Sequence, residues 1–148
     1  MSDETVKVAN QDRVFEWMAA AGHHVQDDPG DMVDPDVIRL RLRMMAEEFC
    51  EYATAMAELA EASEDGDPEK YAEALVEVAD AGGDMRYLSD GDGVTFGYNT
   101  DDVYAEVCDS NDSKIDWRLN APWVVKADGK IGKDHHFREP NIKRVIHG

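Results

Sequence analysis

Carboxylates at helical spacing are the residues of this chain best suited to chemistry. One group falls within about one turn of a predicted helix and consists of Glu47, Glu48 and Glu51. A second group forms a stripe along the next predicted helix and consists of Glu73, Glu77, Asp80 and Asp84. If the two helices lie side by side, the groups face each other and can bind Mg²⁺ or Mn²⁺ through carboxylate oxygens, water and phosphates. A solvated acidic face is the alternative interpretation.

Two long helices are predicted to carry these carboxylates. Asp34-Pro35 and Asp67-Pro68 each supply an N-cap followed by proline, a common start of a helix. In each helix, apolar residues then recur at steps of three and four and form one seam. The first seam consists of Leu42, Met45, Phe49, Tyr52, Met56 and Leu59, and the second consists of Tyr71, Leu75, Val78, Gly82 and Met85. The sequence predicts four helices, near residues 10–21, 35–64, 68–88 and 101–109.

The helical pattern disappears beyond Ser113, where prolines and the turn signal Asp128-Gly129 indicate an ordered, extended arm. The charge changes at the same point, from a net −22 over residues 1–112 to +4 over residues 113–148. We expect an all-α bundle over residues 1–112, with a basic, non-helical arm over 113–148 that closes on the same site, as one domain in total. Because the four helices give a thin core, we expect oligomerisation to complete the bundle.

The net charge of −18 disfavours nonspecific binding to nucleic acid or to an anionic membrane. No apolar run is long enough to cross a bilayer, and the first residues lack the basic and apolar regions of a secretory signal. Two cysteines, Cys50 and Cys108, are too few for a disulfide framework. We therefore expect a cytoplasmic protein. A non-enzymatic acidic protein that mimics DNA is an alternative that explains the charge without catalysis.

The carboxylates also form a motif, in which Glu48-Phe-Cys-Glu51 is followed after 25 residues by Glu77-Val-Ala-Asp80. It resembles the metal motif of the MazG-like all-α nucleoside triphosphate pyrophosphohydrolases, relatives of dimeric dUTPases and phosphoribosyl-ATP pyrophosphohydrolases. The resemblance continues through further ordered elements: Val14–Trp17, Arg41–Glu48, Asp80–Tyr87, Phe96-Gly97, Val103–Val107, Ser110–Lys114, Asp128–Lys133 and Glu139–Ile142. The chain departs from the pattern at Gly82, Gly83, Cys108 and Asp112. Which two carboxylates of the second helix bind the metal stays open. The literal motif gives Glu77 and Asp80, whereas the pattern of phage members gives Asp80 and Asp84.

The resemblance implies hydrolysis between the α- and β-phosphates of a nucleotide, with metal ligands drawn from Glu48, Glu51, Glu77, Asp80 and Asp84. It implies that Glu47 is a ligand or a base that orients water, and that Asn111 contacts the sugar. The β- and γ-phosphates would meet Lys114, Lys130 and Lys133. It further implies a homodimer or homotetramer, in the host cytoplasm if the protein is phage-encoded.

The chain also looks like phage enzymes, including the MazZ type, and this likeness implies a preference for dGTP or GTP. A broad-specificity housecleaning enzyme and a dUTPase-like enzyme are the alternatives within the same class.

Overall fold

The computed structural model describes residues 9–148. In this part of the chain the helices are α1 (Asn10–Ala20), α2 (Pro35–Asp65), α3 (Pro68–Phe96), α4 (Thr100–Asp112) and α5 (Ile142–His147), with two short strands, β1 (Ile115–Asp116) and β2 (Ala121–Pro122). The predicted all-α fold is confirmed. No helix among the described residues is long and apolar enough to cross a membrane.

Helix α2 begins and ends where its capping residues predict. The Asp34 side chain accepts a hydrogen bond from the backbone N–H of Asp36 at 2.8 Å, with Pro35 in the first helical position. Gly66 ends the helix with a φ of 64°, a left-handed conformation that glycine adopts without a steric penalty. Asp67 then caps α3 by accepting from the backbone N–H groups of Glu69 and Lys70. Helices α2 and α3 therefore form a hairpin with a very short connection.

Helix α3 does not end near residue 88, as the sequence predicts, but continues to Phe96. The reason is a contact with α2, since Arg41 is buried and its guanidinium lies against Gly91. Its Nε donates to Oδ1 of Asp92 at 2.8 Å, and its Nη2 donates to the carbonyl of Leu88. These tertiary contacts outweigh the low helix propensity of the glycines in this segment.

The described residues pack as two compact units, which divide between Tyr98 and Asn99. In the first unit, α1 packs Val14 and Met18 against Val94 near the end of α3. Further along the hairpin, α2 and α3 meet through small buried side chains, which allow the helices to lie close together: Ala55, Ala62, Ala74 and Ala81.

The apolar seam of α2 is only partly covered within this unit. Met45, Tyr52 and Leu59 are half-buried. By contrast, Leu42 is 68% exposed, Phe49 56% and Met56 41%. These three residues recur every seven positions, so they form one apolar stripe on the outside of the hairpin.

The second unit contains α4, the two strands and α5. Strands β1 and β2 pair antiparallel, and a tight turn follows in which the N–H of Gly129 donates to the carbonyl of Lys126 at 2.9 Å. Gly129 has a φ of 84°, which confirms the turn predicted at Asp128-Gly129. Helix α5 differs from the expectation of a wholly non-helical arm, since Asn141 caps it by accepting from the N–H of Arg144.

Candidate functional site

Glu48 lies at the centre of a carboxylate cluster formed by α2 and α3. Burial raises the pKa of its carboxyl above the ordinary value of 4.5, and the negative charges of four neighbours raise it further: Glu51, Asp84, Asp80 and Glu47. Two of these neighbours lie on α2 and two lie on α3. The hairpin therefore brings Asp80 and Asp84 of the second predicted group to the first group on α2.

One oxygen of Glu48 identifies the chemistry that the cluster can perform. Its Oε2 is shielded from solvent and has no hydrogen-bond donor among the described residues. A buried carboxylate oxygen without a partner is costly, because the charge has lost its hydration and gained nothing in exchange. A divalent cation would compensate this oxygen and the four neighbouring charges together, since hard cations prefer carboxylate ligands. The residues present thus fit a divalent metal ion.

Glu77 lies on α3, as Asp80 and Asp84 do, but it lines a cavity of about 450 Å³ near the hairpin turn. The charged residues that line this cavity with it are Glu58, Glu61, Asp65, Lys70 and Glu73. Glu77 is not among the carboxylates whose charge raises the pKa of Glu48. The arrangement therefore favours Asp80 and Asp84 over Glu77 and Asp80 as the pair that faces α2.

Two of the predicted phosphate-binding lysines of the second unit share one aromatic ring. Nζ of Lys133 lies 4.2 Å from the centroid of the Phe137 ring, and Nζ of Lys114 lies 5.6 Å from it. Lys114 also donates to Oδ1 of Asn111 at 2.7 Å. The unit thus brings Asn111, Lys114 and Lys133 together as a cationic group suited to phosphate oxygens.

Lys130 has a different setting in the same unit. It follows Gly129 in the turn, and its Nζ lies 3.6 Å from Oδ2 of Asp128. Its charge is partly compensated by this exposed ion pair.

A second group of possible metal ligands consists of Asp134, His135 and His136, whose ligand atoms lie within 4.8 Å of one another. Nδ1 of His136 is 3.0 Å from Oδ2 of Asp134, and this hydrogen bond lowers the pKa of the Asp134 carboxyl. The His136 ring stacks on Trp123 with 3.7 Å between centroids. The two histidines are neighbours in the chain, a spacing that does not by itself predict a metal site.

Glu106 is the residue whose importance the spacing of acidic residues does not reveal. It is buried, its Oε1 accepts from the N–H of Asn141 and from Nη1 of Arg138, both at 2.8 Å, and its Oε2 accepts from Arg144 at 3.2 Å. The N–H of Asn141 and then the Arg138 guanidinium hold the pKa of Glu106 below its usual value. Ser110 and Ser113 add hydrogen bonds to the backbone of Arg138. These contacts anchor the arm to α4.

A known family model matches more than half of the chain. Residues 14–111 match the family model of phosphoribosyl-ATP pyrophosphohydrolase. The chain belongs to this family. The match confirms the resemblance at the level of the MazG-like all-α superfamily. The matched segment contains α2 and α3 and most of α1 and α4. No curated protein sequence matches the chain.

Membership of this family establishes the class of reaction. The family is one of pyrophosphohydrolases, which are hydrolases that release diphosphate from a nucleotide, and its members typically depend on a divalent metal. The lysines at positions 114, 130 and 133 lie beyond the matched segment.

Proposed function

We propose that this protein is a nucleoside triphosphate pyrophosphohydrolase that uses Mg²⁺ or Mn²⁺ and yields a nucleoside monophosphate and pyrophosphate. The observation that carries the proposal is the unpartnered buried Oε2 of Glu48 amid four further carboxylates. We assign the metal to Glu48, Glu51, Asp80 and Asp84, and we leave Glu77 outside the site because it lines a separate cavity.

The reaction requires water to attack the α-phosphorus while the bond to the bridging oxygen of the β-phosphate breaks. A bound divalent ion would neutralise phosphate charge and make the attacking water more acidic. Glu47 lies on α2 next to Glu48 and is exposed, so its carboxylate is available to orient the water and accept its proton. The departing pyrophosphate carries negative charge, for which Lys114 and Lys133 are suitable partners.

We further propose dGTP or GTP as the favoured substrate, on the basis of the likeness to the MazZ type. A broad-specificity housecleaning enzyme and a dUTPase-like enzyme are the competing assignments. The substrate panel below separates them, because a general enzyme would hydrolyse all bases at similar rates and a dUTPase would strongly prefer dUTP.

We propose that the active form is a homodimer or homotetramer. The apolar stripe of Leu42, Phe49 and Met56 supports this assignment, since a second copy of the hairpin would remove these side chains from water. A self-complementary stripe on a helix is the type of surface that closes a helical bundle by symmetry.

Two measurements test the proposed activity. The first is pyrophosphate release from dGTP, GTP, dATP, dCTP, dUTP and phosphoribosyl-ATP in the presence of Mg²⁺ or Mn²⁺. The second is thermal unfolding with Mn²⁺ and nucleotide, singly and together, where joint stabilisation is expected because both bind the folded state. An acidic DNA mimic would release no pyrophosphate and would gain no stability from the pair, and that result would overturn the proposal.

A further inference from the structure

A cavity of about 440 Å³ lies between α1 and α3 in the first unit. Its lining combines two arginines, two aromatic rings and one buried carboxylate: Arg13, Arg86, Trp17, Tyr87 and Asp90. Gly83 also lines it, and nothing lies within 4 Å of where its side chain would be. The cavity therefore has an open backbone surface on one side and polar, aromatic groups around it.

The two arginines are unusual for their surroundings. Residues 1–112 carry a net charge of −22, yet neither Arg13 nor Arg86 forms an ion pair with a carboxylate in the described part of the chain. In the same unit Arg39 pairs with Asp36 and Arg41 with Asp92, whereas Arg43 also forms no ion pair among the described residues. Two guanidinium groups at one cavity, neither in an ion pair within residues 9–148, favour a ligand rich in hydrogen-bond acceptors.

The aromatic rings add a flat apolar surface. The ring centroids of Trp17 and Tyr87 lie 6.1 Å apart at an interplanar angle of 79°, an edge-to-face arrangement. Trp17 is 54% exposed and Tyr87 41%, so a face of each ring remains open to a ligand. Planar heterocycles bind well at such rings because stacking buries their faces.

The position of the cavity relates it to the carboxylate cluster. Gly83 and Tyr87 flank Asp84 on α3, and Asp80 lies one turn before them. The cavity therefore lies beside the carboxylates to which the proposed function assigns the metal, where the base of a nucleotide would be expected.

We propose that this cavity binds the base of the nucleotide and that Arg13 and Arg86 select guanine, an inference that rests on the proposed function. Guanine presents two acceptors, O6 and N7, on one edge, which match the donors of arginine. Adenine keeps the N7 acceptor but has an amino donor in place of O6, so one guanidinium donor would face another donor and lose its partner.

The test combines altered residues with altered bases. Arg13→Gln and Arg86→Gln each remove a charge from the cavity, and Arg39→Gln removes the same charge from an exposed site elsewhere in the unit. Substrates are dGTP, 7-deaza-dGTP, which lacks the N7 acceptor, and dATP. Binding of the products dGMP and dAMP is measured by titration calorimetry as a readout that does not depend on turnover.

We expect the wild-type protein to bind dGMP more tightly than dAMP, and we expect each cavity variant to raise KM for dGTP about tenfold with little change in kcat. Replacement of dGTP by 7-deaza-dGTP should raise KM far more for the wild type and Arg39→Gln than for at least one of the cavity variants. Equal losses on dGTP and dATP would assign the arginines to phosphate and overturn the inference, as would wild-type behaviour of both variants. Absence of pyrophosphate release from every nucleotide by the wild type would instead overturn the proposed function, and the dGMP and dAMP titrations would still decide the cavity.

Discussion

The Nε atom of Arg41 donates to Oδ1 of Asp92 at 2.8 Å, and the same guanidinium occupies the space beside Gly91. This contact ties the first turns of α2 to the last turns of α3, so it fixes how the hairpin aligns its two helices. The carboxylates on the two helices depend on that alignment.

Replacement of Gly91 by alanine tests this alignment. The new Cβ would lie 2.6 Å from Nη2 of Arg41, so we expect a loss of about 1–3 kcal/mol in the free energy of unfolding, measured with urea. The matched control is Gly82→Ala on the same helix, which meets nothing within 4 Å and should add about 0.5–1 kcal/mol. Equal effects at the two positions would contradict the tight contact at Arg41.

Glu48→Gln should abolish pyrophosphate release and also stabilise the protein in the absence of metal at neutral pH. The reason for the gain is that the raised pKa of Glu48 disfavours its charged form in the folded state. That gain should disappear as the pH falls below 4.5, where the carboxyl is protonated in both states. Thermal unfolding in a chelator as a function of pH measures it, and stabilisation by Mn²⁺ should be lost in the variant.

A pair of variants distinguishes whether Asp84 or Glu77 binds the metal together with Asp80. Asp84→Asn should remove stabilisation by Mn²⁺ and pyrophosphate release, whereas Glu77→Gln should keep most of both, since Glu77 lines the cavity near the hairpin turn. Calorimetric titration with Mn²⁺ provides the measurement. Loss of metal binding in Glu77→Gln alone would instead assign the metal to Glu77 and Asp80.

Lys133→Ala should raise KM for a triphosphate about tenfold, because a hydrogen bond between charged groups contributes about 1.5–3 kcal/mol. Lys130→Ala should have a smaller effect, since the Lys130 ammonium already lies 3.6 Å from the Asp128 carboxylate. Lys126→Ala serves as the control for charge in the same segment. A kinetic effect of Lys126→Ala as large as that of Lys133→Ala would mean that only the net charge of the arm matters.

The stability of the second unit should change with pH as the carboxyl group of Glu106 is protonated. Its pKa is lowered in the folded state, so its stabilising effect is present above 4.5 and is lost as the pH falls through the lowered folded pKa. Fluorescence of Trp117 and Trp123, in a Trp17→Phe background, reports unfolding of this unit. The difference in stability between the wild type and Glu106→Gln should shrink with falling pH, and a constant difference would refute the assignment.

The sequence predicts helices well where capping residues define them, as at Asp34 and Gly66, because these signals are local. It fails at the end of α3, where Gly91 and Gly93 suggest a loop but contacts with Arg41, fifty positions earlier in the chain, stabilise a helix. The same limit applies to the candidate site. Spacing identifies carboxylates that share a face, yet the choice between Glu77 and Asp84 depends on how the two helices align.

The anchoring of Glu106 has a consequence for protein synthesis. Its partners Arg138, Asn141 and Arg144 follow it by 32, 35 and 38 residues, so its carboxylate stays unpaired until they have been translated. The first unit contains all of its own helices by Tyr98 and can acquire its structure earlier. The ribosome thus delivers the hairpin that carries the acidic cluster before the second unit can fold.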